Sequence, residues 1–228
     1  MITNKNLKTA VPAYLDELYS NYDKCEAKDG KFSCNLRSFY QYSKLVESLT
    51  KEIKQSQSVL QLGVVFGKEI DEVAMSVGPY GRYDVIDISR TQIDRVTEKY
   101  SKVYPALQFY KKDAANFKME IEDYDVVICF MLLSEVPIAT KTKIINKALQ
   151  KVRSGGKVVF IDYHNPLPYH PLGWIVKTYN RLYKPFVEKL WDRQIDAYAD
   201  PKLRRQFVWR KTTFFGRLYQ KMVAIKKD

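Results

Sequence analysis

Two glycines and two carboxylates stand where short apolar runs end, and their order along the chain is the first sign of chemistry. The run Val59-Leu-Gln-Leu leads into Gly63-Val-Val-Phe-Gly67-Lys-Glu. Gly63 and Gly67 let the backbone turn tightly and approach a ligand, and the start of a following helix offers unpaired N–H groups. The spacing is not G-x-G-x-x-G, so a dinucleotide pyrophosphate is poorly served, and a plain glycine turn between strand and helix accounts for the same residues. Asp87 closes the next run, Tyr83-Asp-Val-Ile-Asp. An acid at that distance from a glycine loop can accept hydrogen bonds from both hydroxyls of a ribose. Capping of the next helix is the alternative role, though Ser89 or Thr91 is equally well placed for it. Asp113 follows the third run and can accept a bond from an adenine amino group. One such carboxylate is common; a glycine loop followed by two of them points to a ligand containing a nucleoside.

The chain has two histidines, His164 and His170, and both follow the fifth apolar run beside Asp162 and Tyr163. His164 suits a general base near neutrality or a metal ligand. With Asp162 and Glu135 it forms an N/O set suited to manganese or magnesium. The plainer reading has His164 closing a loop and His170, followed by Pro171, starting a helix.

The elements that must position these residues follow from hydrophobic periodicity. Residues 1–55 read as helices, a cap preceding the main domain: Pro12 fits a first helical turn, and Asn35 can cap a longer helix carrying Leu45, Val46, Leu49 and Ile53. From Ser58 onward, apolar runs at Val59–Leu62, Tyr83–Ile88, Leu107–Tyr110, Tyr124–Phe130 and Lys157–Ile161 alternate with helical stretches at Glu69–Val77, Thr91–Tyr104 and Ala139–Lys151. That alternation signals a doubly wound parallel sheet in an α/β domain spanning residues 56–228. Ser154-Gly155-Gly156 reads as a C-cap and turn. The ending, Phe207–Phe215 and Leu218–Ile225 around Gly216-Arg217, reads as a hairpin that adds an antiparallel last strand.

The series Val59-Leu-Gln-Leu-Gly63-x-x-x-Gly67, Asp87, Asp113-Ala114, Tyr124-Asp-Val-Val and Ser154-Gly-Gly-Lys-Val resembles the class I S-adenosylmethionine methyltransferases over about residues 55–162. The resemblance implies a Rossmann-like, seven-stranded doubly wound sheet and S-adenosylmethionine as cofactor. Gly63 and Gly67 would pass its methionine part, Asp87 would hold the ribose and Asp113 would touch adenine. Gln61, Ile88, Ala114 and Phe130 adjoin these positions and complete the candidate cofactor set. The family usually carries Asp or Glu where Gln61 stands and another glycine where Val65 stands.

A narrower resemblance rests on Leu60-Gln-Leu-Gly-Val-Val-Phe-Gly67, Phe130-Met-Leu-Leu-Ser-Glu135-Val-Pro137, Asp162-Tyr-His-Asn-Pro166 with His170-Pro171-Leu172, and the ending from Trp209 to Gln220. These are similar to the rhodoquinone-biosynthesis methyltransferase-like family, which is related to the ubiquinone methyltransferases. The resemblance implies conversion of ubiquinone to the aminoquinone rhodoquinone with a divalent metal, manganese or magnesium. His164, Tyr163 and Asp162 become catalytic candidates, Glu135, His164 and Asp162 metal candidates, and His170, Trp174 and Tyr179 substrate candidates. That pattern has a histidine where Ser134 stands, and the first 50 residues match it poorly.

Composition narrows the partners. With 228 residues, 46% of them hydrophobic, the chain can bury a substantial core, and 17 Tyr and 11 Phe argue against disorder. The longest apolar run, Val126–Leu133, falls far short of the ~20 residues that cross a bilayer, and the N-terminus has no apolar secretory core. Cys25, Cys34 and Cys129 lack CxxC spacing, so neither a disulfide framework nor a thiolate metal site is expected, and reducing cytoplasm is. The net charge is +12, and residues 170–228 hold 14 Lys+Arg against 5 Asp+Glu, nine of that excess. There, within 163–205, Trp174, Ile175, Tyr179, Leu182, Tyr183, Phe186, Val187, Leu190 and Trp191 fall on one helical stripe beside Lys177, Arg181, Lys184 and Lys189, with Pro185 kinking or dividing it. Such a segment suits a peripheral position on the anionic inner face of a membrane, next to a lipid quinone; core packing of the stripe is the alternative. Two other functions compete: C- or O-methylation of a quinone or phenol, and a basic nucleic-acid-binding protein. No RNA-binding motif is visible, so nucleic acid is not the expected partner.

Overall fold

The computed structural model describes residues 41–64, 68–121, 123–183 and 186–228; side chains are described outside 179–183. Seven strands form one sheet in the order β3-β2-β1-β4-β5-β7-β6. They are β1 (Ser58–Leu62), β2 (Arg82–Asp87), β3 (Leu107–Lys111), β4 (Tyr124–Phe130), β5 (Val152–Tyr163), β6 (Phe207–Phe214) and β7 (Tyr219–Lys226). The first five run parallel, and β7 is antiparallel to both β5 and β6. The expected seven-stranded α/β sheet with its antiparallel last strand is therefore present.

Burial explains the strand sequences. Val59, Leu60 and Leu62 of β1, and Val126 to Phe130 of β4, are covered on both faces, as apolar runs in a parallel sheet flanked by helices must be. Helix α1 (Tyr42–Thr50) turns Leu45, Val46 and Leu49 inward, and α2 (Glu69–Val77), α3 (Arg90–Tyr100) and α4 (Ile138–Gln150) cover the crossovers. Ser89 caps α3, its hydroxyl accepting from the Gln92 N–H at 3.4 Å. Lys157 of β5 and Lys221 of β7 both reach Glu52 just after α1, at 3.0 and 2.9 Å, and fasten that helix to the sheet. Expected helices before residue 41 lie outside the described residues.

Two expectations need correction. Ser154-Gly155-Gly156 is not a turn before the fifth strand: β5 begins at Val152 and carries the glycines within it, where the register against β4 shifts between Tyr124 and Val126. The aromatic segment is not one stripe. It forms α5 (Gly173–Tyr183) and α6 (Glu188–Asp192), divided at the expected place, with Val187 and Leu190 buried while Trp174 and Ile175 face solvent. After a short 3-10 turn at Ile195–Tyr198, α7 (Pro201–Arg205) is capped by Asp200, whose carboxylate accepts from the Lys202 and Leu203 N–H groups.

The two β5 glycines predict different costs. A Cβ on Gly156 would lie 2.8 Å from the Asp125 carbonyl and 3.0 Å from that of Arg153, whereas one on Gly155, at φ +68°, would meet only Asp228 at 3.4 Å. Chemical denaturation should show Gly155→Ala costing about 1 kcal/mol, the strain of a left-handed residue, and Gly156→Ala about 3 kcal/mol, because backbone cannot move aside.

Candidate active site

The carboxyl ends of β1, β2 and β3 meet at one edge. Gly63 turns out of β1 at φ +83°, its N–H still bonded to the Ile86 carbonyl at 2.8 Å. The next N–H, of Val64, donates to Asp87 Oδ2 at 2.6 Å, and Ser89 N–H donates to Oδ1 at 2.7 Å. Asp87 is thus held rigidly at the end of β2, 2% exposed. Its own carbonyl accepts from Lys112 N–H at 2.8 Å, tying the end of β3 alongside. Asp113 follows at the surface, one oxygen taking the Ala115 N–H at 2.8 Å. Ala114 is buried beside it, Ile88 is half-buried, and Phe130 closes β4 with its ring edge-on to Tyr42 at 5.9 Å. These cofactor candidates converge on one edge. Gly67 lies outside the described residues.

Gln61 differs from the others. Its side chain is fully buried, its amide donating to the Gly63 carbonyl at 3.1 Å and to Glu69 at 2.9 Å while its oxygen takes the Tyr83 hydroxyl. It acts on the loop rather than facing the edge. Glu69 and Tyr42 had no sequence signal, since a helix-start glutamate and an amphipathic tyrosine have ordinary structural uses.

A second group forms at the carboxyl end of β5. Successive side chains of a strand point to opposite faces, so Asp162 and His164 share one face and Tyr163 lies on the other, its ring 5.2 Å from Tyr219. Asp162 is fully buried and accepts from Ser134 N–H at 3.1 Å and Tyr163 N–H at 2.8 Å. Burial outweighs those bonds and pushes its carboxyl up to about 6. Lys141 of α4 is also without exposed surface; it donates to the Val136 carbonyl at 2.9 Å and to that of Phe186 at 2.7 Å. Burial brings it down to about 8 against the pull of Asp162 and Glu135. Sequence reasoning missed it, because a lysine on a helix ordinarily faces water.

His164 has a defined tautomer. Nδ1 faces two carbonyls, Asn165 at 3.0 Å and Arg217 at 3.1 Å, and so carries the proton; Nε2 accepts from the Lys211 ammonium at 2.8 Å. Burial first, then Lys211 and Arg217, holds the imidazole below its usual range and therefore neutral at pH 7. The metal set expected from Glu135, His164 and Asp162 is not assembled. Among the described residues no three His, Cys, Asp or Glu side chains are grouped to hold an ion, and both nitrogens of His164 are engaged, one by a cation. His170 takes the Leu172 N–H on Nδ1 at 3.1 Å and packs edge-on to Phe215 at 4.9 Å, so it stabilises the start of α5. Gly216 has room for no side chain, since a Cβ there would collide with that ring. Trp174 is 72% exposed on α5; Tyr179 lies in the same helix and its side chain is not described.

Residues 59–156 match the family model of a methyltransferase domain. The matched span contains the strand ends bearing Gly63, Asp87 and Asp113. NodS, an N-methyltransferase from Bradyrhizobium japonicum WM9 solved with S-adenosyl-L-homocysteine, is 13% identical, over 89% of this chain and 91% of that one, with a TM-score of 0.59. An O-methyltransferase family protein from Burkholderia thailandensis is 15% identical over 90% and 63%, TM-score 0.63. Phosphoethanolamine N-methyltransferase 2 from Haemonchus contortus, solved with S-adenosyl-L-methionine, is 12% identical over 82% and 53%, TM-score 0.62. At such identities the likeness is one of fold. No match to a curated protein sequence was found.

The His164 geometry predicts its titration. A histidine whose pKa falls on folding stabilises the fold fully above its unfolded value of 6.5, and that contribution is lost as pH drops below it. Nitrogen-15 NMR should show the Nδ1–H tautomer at pH 7 and a midpoint below 6.5, and Lys211→Met should move that midpoint upward.

Proposed function

We propose that this chain is an S-adenosylmethionine-dependent transferase that modifies the head group of a membrane quinone, with conversion of ubiquinone to rhodoquinone as its reaction. The observation that carries the cofactor half is the Asp87 carboxylate, pinned by the Val64 and Ser89 N–H groups at the end of β2. A carboxylate fixed at the end of the second strand, beside the glycine turn, is placed as an acceptor for ribose hydroxyls would be. Asp113 and Ala114 stand where adenine would lie, and the Gly63 turn and Phe130 stand where the methionine part would pass. Binding there would aim the sulfonium end of the cofactor toward the end of β4 and the rim formed by β5. What such a site supplies is alignment, which can account for much of the barrier lowering in group transfer.

The quinone half rests on the resemblance of the Asp162 to His170 element and on the surface beside it. Tyr169 is 80% exposed, Trp174 72% and Ile175 40%, with the exposed Lys177 one turn along α5. Apolar and aromatic side chains edged by basic ones suit the inner face of an anionic membrane, where a lipid quinone resides. Among the described residues no helix is long and apolar enough to cross a membrane. In this reading the neutral imidazole of His164 and the Lys211 ammonium that donates to it at 2.8 Å would move a proton to or from the quinone. The unassembled carboxylate–histidine set gives a metal no role in this reading. Methyl transfer to a quinone or phenolic precursor is the second reading, favoured by the fold likeness to N- and O-methyltransferases.

Expression in a ubiquinone-making host followed by lipid-quinone profiling tests the reaction: an aminoquinone supports it, a one-methyl mass increment supports the second reading, and an unchanged profile with cofactor-loaded protein rejects both. For the cofactor, calorimetry with S-adenosylhomocysteine should show Asp87→Ala weakening binding by roughly 10-fold or more, the loss expected from charge-assisted hydrogen bonds, and Asp113→Ala by less. For the surface, Trp174→Ala with Ile175→Ala should reduce sedimentation with phosphatidylserine vesicles without lowering the melting temperature.

A further inference from the structure

The glycine turn of β1 is held by a buried chain of hydrogen bonds that begins in α1. The Tyr42 hydroxyl donates to Glu69 Oε2 at 2.9 Å. The Gln61 amide donates to Glu69 Oε1 at 2.9 Å and to the Gly63 carbonyl at 3.1 Å, and the Tyr83 hydroxyl donates to the Gln61 oxygen. Gln61 and Glu69 have no exposed surface.

Each bond dictates the next group's chemistry. The Gly63 carbonyl and the Glu69 carboxylate only accept, so the side chain between them must present two N–H bonds while its other end accepts from a hydroxyl. A primary amide does this. A carboxylate at 61 would turn oxygen toward two acceptors in a site with no exposed surface, where unmet polar groups are costly. The negative charge stands instead on the first residue of α2, where unpaired helix N–H groups favour an anion. Gly63 follows β1 at φ +83°, and its carbonyl belongs to the same peptide group as the Val64 N–H that donates to Asp87, so holding that carbonyl also orients the donor to Asp87. Tyr42 joins this chain to the rim, because the ring whose hydroxyl reaches Glu69 also packs on Phe130.

We infer that Gln61 is a positioning residue of the cofactor loop: its amide, paired with the Glu69 carboxylate, fixes the Gly63 carbonyl, and Tyr42 locks α1 to the same unit. The inference rests on the reading of this edge as the S-adenosylmethionine site. A double substitution separates positioning from stability. Gln61→Glu puts two carboxylates in contact and leaves Gly63 facing an oxygen, so both melting temperature and S-adenosylhomocysteine affinity fall. Adding Glu69→Gln restores an amide–carboxylate pair but not the donor to Gly63. The melting temperature should then recover while affinity, measured by calorimetry, stays at least tenfold below wild type. Affinity that returns together with melting temperature, or Gln61→Glu binding as tightly as wild type, overturns the inference. Should Gln61→Glu not fold, Gln61→Met removes the donor without adding charge, and a tenfold affinity loss is again expected, an unchanged affinity overturning it. Wild-type protein that binds neither S-adenosylhomocysteine nor S-adenosylmethionine overturns the cofactor reading and the inference with it; wild-type binding with unaffected variants overturns the inference alone.

Discussion

The bond from the Val64 N–H to the Asp87 carboxylate, 2.6 Å long, joins two groups that neither strand can satisfy alone. Where a parallel strand ends, its next N–H has lost its ladder partner, and a carboxylate that is 2% exposed must be met by donors. In-register pairing of β1 with β2, Leu62 opposite Ile86, brings the two together one residue beyond the ladder. Other features follow from that meeting. Ser89 gives its N–H to Asp87 and its hydroxyl to the first turn of α3, so the acid also sets where α3 starts. Lys112 N–H on the Asp87 carbonyl draws β3 to the same level. One rigid carboxylate therefore aligns three strand ends, and a ligand binding there need not order them.

The end of β5 follows a different electrostatic logic. Asp162 is pushed up to about 6 and His164 held below its ordinary value, both chiefly because burial disfavours charge. Their linkage to stability has opposite sign. Asp162 contributes most below its unfolded value of 3.8 and loses that contribution as pH rises through about 6, whereas His164 loses its contribution as pH falls below 6.5. Near neutrality the cluster holds a neutral imidazole beside an ammonium. That arrangement disfavours a second cation, and so accounts for the unassembled metal set better than distance alone.

Much of this was legible because parallel strands leave an unmistakable pattern. Tyr124–Phe130 and Glu69–Val77 have the same limits in sequence and structure, since a strand buried on both faces and an amphipathic helix each follow one period. That Asp87 and Asp113 stand at strand ends was legible because each acid closes or follows an apolar run in the sequence. Misreadings came where two uses share one sequence. Ser154-Gly155-Gly156 resembles a helix C-cap, yet it lies in β5, where the glycines accommodate a register shift that depends on β4. The division of the stripe from Trp174 to Trp191 was legible from Pro185; what was not legible is that residues of the separate helices α5 and α6 differ in burial. Gln61 looked like a degraded acid because its counterpart, Glu69, belongs to another element.

Lys141 links the buried cluster to the exposed surface. Its ammonium spends two donors on the backbone carbonyls of Val136 and Phe186, so the chain between α5 and α6 is fastened to α4 from beneath by a group that burial holds near 8. Val187 and Leu190 on one side of the division and Val176 of α5 on the other are buried in the core. With that face occupied, Trp174 and Ile175 are left pointing outward, in an orientation set by core contacts rather than by the surface itself. Residues 170–228, which include this helix, also hold nine of the twelve excess positive charges. The exposure of Trp174 and Ile175 is therefore a consequence of how α5 is packed, with the exposed Lys177 one turn further along the same helix.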